Sequence, residues 1–552
     1  MFLAFVLSLL SVNPAMADTV IIGPLQFDLN QDGKSYSVCL YNMDYSGEIV
    51  IPALYNGLPV TRVGSFFEGN FTSIDLPNSL YSIEEHSFEN CNSLEKVTSS
   101  SSSVPSYEGY IGSFAFSNCG NLTKITIPNS IDSIGDWAFY GCKDLKEIVI
   151  PNTVKEIGED AFRCCEFESI TLPDGLTKIS AGLLAQTSLK SIKIPDSVTE
   201  IGGFAFESCK QLESVILPNS LTKIGNSAFY GCNYLKDIKL ANSLTSIGKR
   251  AFYNSGISTL VLPNSLTCLG DEAFSMCSSL KKVIFGTGLT EINPQTFSGC
   301  NLTDIVLPPN LIKINSGAFY TWTPIESLVI GSKVKEIGSS AFGSKDGIKS
   351  IYITSSEPPV AFENTFDSYT ADLWLQDQDA IDKYTVSQPC WCKFEKKAMI
   401  CAEKLEQKEE ELILEAGATH QLSVTVKPEN ATLKHVFWRS TNPNVASVDN
   451  NGLVTFPETN SPTYEIGQKA PASDCKIIAY TLYDNGPIAE FTVKMPTTAV
   501  EDVTVDRKDF NADENIDVFN INGVRVSDST EGLAPGLYIL RQGMTTKKVF
   551  IK

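Results

Sequence analysis

The apolar residues of this chain return on one beat. Residues 145–166 read LKEIVIPNTVKEIGEDAFRCCE, and the same order of apolar and polar positions restarts at Leu122 (LTKITIPNSIDSIGDWAFYGCKD), Leu189 (LKSIKIPDSVTEIGGFAFESCKQ) and Leu212 (LESVILPNSLTKIGNSAFYGCNY). A Phe marks each copy, at 67, 88, 116, 139, 162, 206, 229, 252, 274, 297, 319, 342 and 366, and Leu184 fills the one missing slot. Most intervals are 22 or 23 residues. A fixed period of that length is the signature of a solenoid.

Inside one copy, LxxIxI alternates apolar with other residues, which is strand spacing. A Pro follows at once, as in Ile150-Pro151; lacking an N–H, it ends the ladder. An Asn-Ser, Asn-Thr or Asp-Ser pair turns the chain. VxxIG gives a second short extended piece, and AFxxC reads as one tight helical turn. Such a coil cannot bury its apolar side alone, but stacked coils build a continuous core.

The pattern resembles the leucine-rich repeats of BspA-like bacterial surface proteins over residues 49–400. The resemblance implies a leucine-rich repeat solenoid of about 14 repeats with a parallel β-sheet on one face. Three departures leave the stack intact: Leu183-Leu184 replaces AF in one copy, a serine run at 99–103 lengthens another, and the last copy runs into Pro358-Pro359.

The ends carry other patterns. Residues 1–17 read as a secretory signal peptide, with an apolar run at 2–10 and Ala15-Met16-Ala17 as the cleavage site. That run is too short for a membrane span. Residues 18–48 read as a capping hairpin, FDLNQDGKSYSVCL being strand, turn, strand. Asp28-x-Asn30-x-Asp32-Gly33 echoes a calcium loop, but the twelfth position is Cys39 where that loop needs a Glu, so a plain turn is expected. Tyr384, Trp391 and Phe394, in a segment that resembles the usual close of such arrays, are expected to plug the far end. The charged stretch 401–411 reads as a linker. Residues 412–496 resemble a group 2 bacterial immunoglobulin-like domain, carried by Trp438, Ser440, Pro443, Val445-Ala446, Val448 and Gly452-Leu453-Val454; the resemblance implies an all-β sandwich that serves as a spacer. Residues 497–552 resemble a type A C-terminal sorting domain of the type IX secretion system, carried by Asn522-Gly523, Gly536-Leu537-Tyr538-Ile539 and the basic end, which implies a small β-domain and delivery to the outer surface or release.

Charge narrows the partners. A formal net charge of −21 over 552 residues excludes a nucleic-acid phosphate ligand, which needs a basic surface. Of the 15 cysteines, Cys91, Cys119, Cys142, Cys165, Cys209, Cys232, Cys277 and Cys300 each follow the repeat Phe by three residues, so they form a stacked row of buried free thiols. Cys390-x-Cys392 with Cys401 has no partnering His nearby. The three histidines, His86, His420 and His435, stand in no metal-ligand spacing, and there is no nucleophile elbow or phosphate loop. Neither enzyme activity nor a cofactor is expected.

The BspA-like resemblance implies an exported, adhesin-like surface protein whose partners are host or bacterial surface proteins; a glycan-binding or scaffolding role in nutrient capture is the alternative. A candidate surface follows from strand alternation. Within LxxIxI, the residue between the two core positions points outward, and in the last five regular copies it is Val261, Ile284, Val306, Val329 and Tyr352. A continuous apolar strip of this kind marks an interaction site, unless β-branched residues merely suit strands or the C-terminal domains fold back over it.

Overall fold

The computed structural model describes residues 19–99 and 109–494 apart from 388, 414–416, 444, 457–474 and 484–485, and beyond them the strands Asp517–Asn520, Arg525–Ser527, Gly536–Gln542 and Thr545–Ile551. The signal-peptide segment, most of the serine run and the Asn522-Gly523 pair lie outside the described residues.

The LxxIxI segments form one row of parallel strands, in register from coil to coil. Lys124–Thr126 pairs with Glu147–Val149 so that Ile125 meets Ile148, and Asp304–Val306 pairs with Ile325–Ile330 so that Ile305 meets Leu328. The VxxIG segments form a second parallel row, for example Glu200–Ile201 beside Lys223–Ile224. The apolar strand residues of both rows turn inward onto a single core that runs from Leu25 to Phe394. The antiparallel strands Thr19–Ile22, Leu25–Leu29 and Tyr36–Leu40 close its start. In their turn, Asp32 accepts from the Lys34 amide at 2.8 Å and from Ser35 Oγ at 3.0 Å, so its carboxylate is satisfied within the turn.

The repeat Phe side chains stack along the middle of this core. Phe116 and Phe139 lie 5.2 Å apart at 3°, and Phe252 and Phe274 5.1 Å apart at 3°. The face-to-face arrangement is imposed by coil spacing, since in-register coils repeat at about 4.8 Å. In the first copy the stacked ring is Phe66, 5.1 Å from Phe88, and not Phe67, which is only half-buried. The segment from Val63 to the ring is two residues shorter there than from Ile83 to Phe88, so the upstream Phe reaches the core.

The AFxxC segment is a run of tight turns rather than a helix. The residue two before the Phe has a left-handed backbone in most coils, as at His86, Phe114 and Trp137, and its turn is pinned by coil-to-coil bonds such as Phe116 N–H to Ala138 O at 2.7 Å. The repeat cysteines are free and buried. Each points its thiol at the backbone carbonyl of the preceding coil's core residue, as in Cys119 Sγ to Phe88 O at 3.0 Å, Cys209 to Leu184 O at 3.0 Å and Cys232 to Phe206 O at 3.1 Å. The thiol therefore does more than fill space. It supplies a second, weak donor to a carbonyl that already accepts another hydrogen bond, as Phe88 O does from the Cys91 N–H at 3.2 Å.

At the far end, the helix Gln378–Val386, N-capped by Asp377 onto Ala380 N at 2.8 Å, brings Tyr384 over the stack. Tyr384 and Trp391 are fully buried, and the Trp391 indole donates to Pro359 O at 2.8 Å.

The β-sandwich begins earlier than the charge pattern suggests. Lys404–Gln407, expected to be linker, is a strand antiparallel to Val424–Lys427. Leu405 points into the second core while Lys404 and Glu406 face out; a single apolar residue among charges suffices for an edge strand. Glu411–Ile413, Ile488–Lys494, Cys475–Tyr480 and Phe437–Ser440 form one sheet in that order, and Thr419–Gln421, Leu453–Thr455 and Ser447–Val448 another. Trp438 lies 5.8 Å from Phe491 in this core. A Cβ on Gly452 would come within 2.8 Å of the Trp438 ring, and Gly452 has φ +86°, so the resemblance-bearing glycine is required twice over. The last four strands form an antiparallel sheet. No helix among the described residues is long and apolar enough to cross a membrane.

Candidate functional site

The outward face of the LxxIxI row is the surface that the strand alternation singles out. In Ser191–Lys193, Ser214–Ile216 and Thr259–Val261 the central Ile192, Val215 or Leu260 is held in the core, which leaves its two neighbours outside. Along the first half, Val50, Val149 and Ile216 stand 67%, 63% and 62% exposed; Thr171 and Lys193 are exposed between the last two, and Lys239 follows Ile216. Polar pairs knit neighbouring coils on this face: Thr98 donates to Asp75 at 2.7 Å, and Lys124 meets Glu147 at 2.6 Å. Such solvated pairs contribute little stability, but they hold side chains in a regular array.

The second half of the face is occupied. The β-sandwich folds back onto it. Val329, the fourth residue of the candidate strip, is 4% exposed and packs with Phe437 and Leu482 of the sandwich. Val306 and Tyr352 are partly buried against the same cluster. Tyr352 also stacks on Trp374 at 6.1 Å, and both rings abut the sandwich core. Ile284 is half-buried and Val261 is 44% exposed. Of the three readings of the strip, intramolecular cover therefore describes Val306, Val329 and Tyr352, while Val261 and Ile284 lie towards the edge of the covered area.

Polar contacts fix the docking. Asn264 Nδ2 donates to Val448 O and Asn450 Nδ2 to Leu262 O, both at 3.0 Å. Thr354 Oγ1 donates to Leu482 O at 2.8 Å. Where most coils carry Pro after the strand, this coil carries Gly331, and a Cβ there would stand 3.3 Å from Leu482 Cδ2; the missing side chain lets Leu482 seat. One sequence signal was available. Phe437 and Trp438 are adjacent in a strand, so alternation sends them to opposite faces, and only one face is the sandwich core.

The cysteine cluster noted at Cys390, Cys392 and Cys401 stays apart as a chemical unit. Cys390 is buried at the array's end, with burial pushing its thiol up to about 12, and Cys401 faces Gln376 O. His86 pairs with Glu89 at 2.7 Å and His420 with Glu409 at 3.0 Å. Among the described residues no group of three or more His, Cys, Asp or Glu is arranged to hold a metal ion.

Comparison with known proteins agrees with this architecture. The family model described as BspA type leucine rich repeat region matches in six copies, over residues 62–183, 109–236, 155–277 and 245–368, more than half of the chain. The bacterial Ig-like domain (group 2) model matches residues 404–463, a start that coincides with the strand Lys404–Gln407. Among solved structures, the chain is similar to a leucine-rich repeat protein from Bacteroides ovatus (24% identity, 69% of this chain and 99% of that one, TM-score 0.49). It is also similar to a leucine rich cell surface protein from Faecalibacterium prausnitzii (25%, 62% and 96%, TM-score 0.39), and to the pneumococcal vaccine antigen PcpA (20%, 69% and 98%, TM-score 0.33). No curated protein matches the chain.

Proposed function

Because this chain belongs to the BspA-type leucine-rich repeat family, we propose that it is an exported binding protein of the bacterial surface, adhesin-like, whose protein ligand lies on the open half of the LxxIxI face. The observation that carries this reading is the row Val50, Val149 and Ile216, three large apolar side chains exposed among Thr and Lys on a rigid sheet. They stand on separate coils, with Asp75, Thr98 and Thr126 between the first two and Thr171 and Lys193 between the last two, so the face is mixed apolar and polar, and the preformed sheet lets a partner bind without ordering cost on this side. Val261 and Ile284 extend the ligand surface up to the sandwich. Val306, Val329 and Tyr352 act as the seat that holds the sandwich in place, so that it is a buttress as well as a spacer. The C-terminal strands complete the chain as a sorting domain for type IX secretion, in line with the resemblance of residues 497–552.

The test is to immobilise the full mature chain and present purified host matrix proteins and whole bacterial cells by biolayer interferometry. Saturable binding to at least one, weakened tenfold or more by Val149→Glu, supports the reading. Absence of binding across the panel, or binding untouched by that substitution, counts against it.

A further inference from the structure

A second surface lies on the turn edge of the array, away from the strand face. Here an open cleft of about 400 Å³ runs across the coils that hold Glu89, Asn118, Trp137, Tyr140, Asp160 and Arg163. Three rings form a ladder on one side of it. His86 stacks on Phe114 at 4.9 Å and 4°, and Phe114 on Trp137 at 5.1 Å and 11°. The ladder ends there, because the same slot holds Asp160 in the next coil and Gly182 in the one after.

The fold does not ask for aromatics in that slot. All three residues have left-handed backbones, with φ of 57°, 58° and 51°, where bulky side chains are disfavoured. Other coils use Ser227, Arg250, Glu272, Gln295 and Gly317 at the same place, and Phe204 stands there as a single exposed ring with no aromatic neighbour in the slot on either side. The left-handed backbone recurs at this slot in most coils; what sets these three apart is a run of stacked rings in successive coils beside a cleft.

The cleft's polar groups narrow the ligand. The Asn118 amide, the Tyr140 hydroxyl and the Trp137 indole N–H have no hydrogen-bond partner among the described residues. The charged groups are already held: Glu89 by His86 at 2.7 Å, and Arg163 between Asp160 and Glu207 at 3.1 Å each. A guanidinium flanked by two carboxylates is a poor anion site. The backbone offers nothing to an extended peptide, since strand addition needs free main-chain groups. The Asn118 N–H is bonded to Tyr140 O at 2.7 Å, the Trp137 N–H to Glu159 O at 2.9 Å and the Gly141 N–H to Arg163 O at 2.9 Å. What suits the cleft is a neutral ligand rich in hydroxyls with apolar C–H faces. The Asn118 amide plane can meet two neighbouring hydroxyls, and the face of Trp137 turned away from Phe114, which ends the ladder, can take the C–H face together with the Tyr140 ring.

We propose that this turn-edge cleft binds a neutral glycan chain, as a site separate from the protein-binding strand face. The test is affinity electrophoresis of the mature chain in native gels containing soluble β-1,4-glucan, amylopectin, xylan or α-mannan, followed by calorimetry with the matching hexasaccharide. Trp137→Ser is the central variant, because Ser227 occupies the equivalent slot of a folded coil; Ser227→Ala, outside the cleft, is the control. The expected result is retardation by at least one polysaccharide, weakened at least tenfold by Trp137→Ser with an unchanged circular dichroism spectrum, and kept by Ser227→Ala. No retardation by any of the four, or retardation equal in Trp137→Ser and wild type, overturns the proposal. Loss of matrix-protein binding in Trp137→Ser without any glycan binding would assign the cleft to a protein and overturn it too. Val149→Glu should leave glycan retardation unchanged, which separates this site from the strand face.

Discussion

Truncating one ring in the middle of the Phe stack tests the register on which everything else depends. Phe229 is fully buried and lies between Phe206 and Phe252, 5.0 Å from each and within 5° of parallel. Phe229→Ala removes the ring's transfer energy and leaves a cavity, a loss of ~3–5 kcal/mol. The upper half of that range is expected, because the walls cannot collapse. Coil spacing is pinned by Phe229 N–H to Ala251 O at 2.7 Å and by Cys232 Sγ to Phe206 O at 3.1 Å. Phe229→Leu should cost far less, roughly 1.5 kcal/mol or below, since Leu184 fills the same slot, also fully buried. Asp237→Ala, on the exposed strand surface, should stay within about 0.5 kcal/mol. Urea unfolding followed by circular dichroism ranks the three. Coils interact chiefly with their neighbours, so limited proteolysis of the 206–252 region should show the loss as local. Equal midpoint shifts for Phe229→Ala and Asp237→Ala would refute the register.

Four further outcomes follow from the same structure. Burial pushes the Cys91 thiol up to about 12 and Cys277 up to about 11, so native protein at pH 8 should label first at exposed Cys268, with the repeat cysteines reacting only in denaturant; mass spectrometry showing Cys142 joined to Cys165 would contradict this. Because those folded values lie above the unfolded thiol's ~8.5, their stabilisation is complete below that pH and is lost as pH climbs towards 11–12; the urea midpoint should fall above pH 9, and a flat profile to pH 11 would count against buried thiols. Leu482→Asp should undock the sandwich from the array and raise the radius of gyration in X-ray scattering without unfolding either part, and deletion of 497–552 should leave the array folded while export to the surface stops.

The solenoid and the sandwich were legible because each is written in local patterns: a Phe every 22 or 23 residues, and a Trp, a turn and Gly452-Leu453-Val454 at set distances. Other details were not settled by sequence. Phe66 rather than Phe67 enters the core because two residues are missing before it, which matters only once the coils are superposed. Lys404–Gln407 looked like a linker because its single inward residue, Leu405, is surrounded by charge. The cover over Val329 was one of three readings of the strip, and sequence could not choose among them because that cover joins residues more than a hundred positions apart, its one local trace being Phe437 beside Trp438. The turn-edge cleft escaped for the same reason: Glu89, Trp137 and Asp160 become neighbours only through coil stacking. Its trace was the slot two residues before the repeat Phe, which holds His86, Phe114 and Trp137 in succession.

The double substitution Val149→Glu with Ile216→Glu addresses the central claim most directly. Both side chains stand outward on the open half of the strand face, so the array should keep its spectrum and urea midpoint. Surface plasmon resonance against the matrix protein that the wild-type chain binds should show at least a tenfold weaker complex. A control pair on the opposite strand row and its turn, Lys155→Glu with Lys178→Glu, exposed there, should bind as wild type. If the strand-face pair binds undiminished while folded, the ligand does not sit on this sheet.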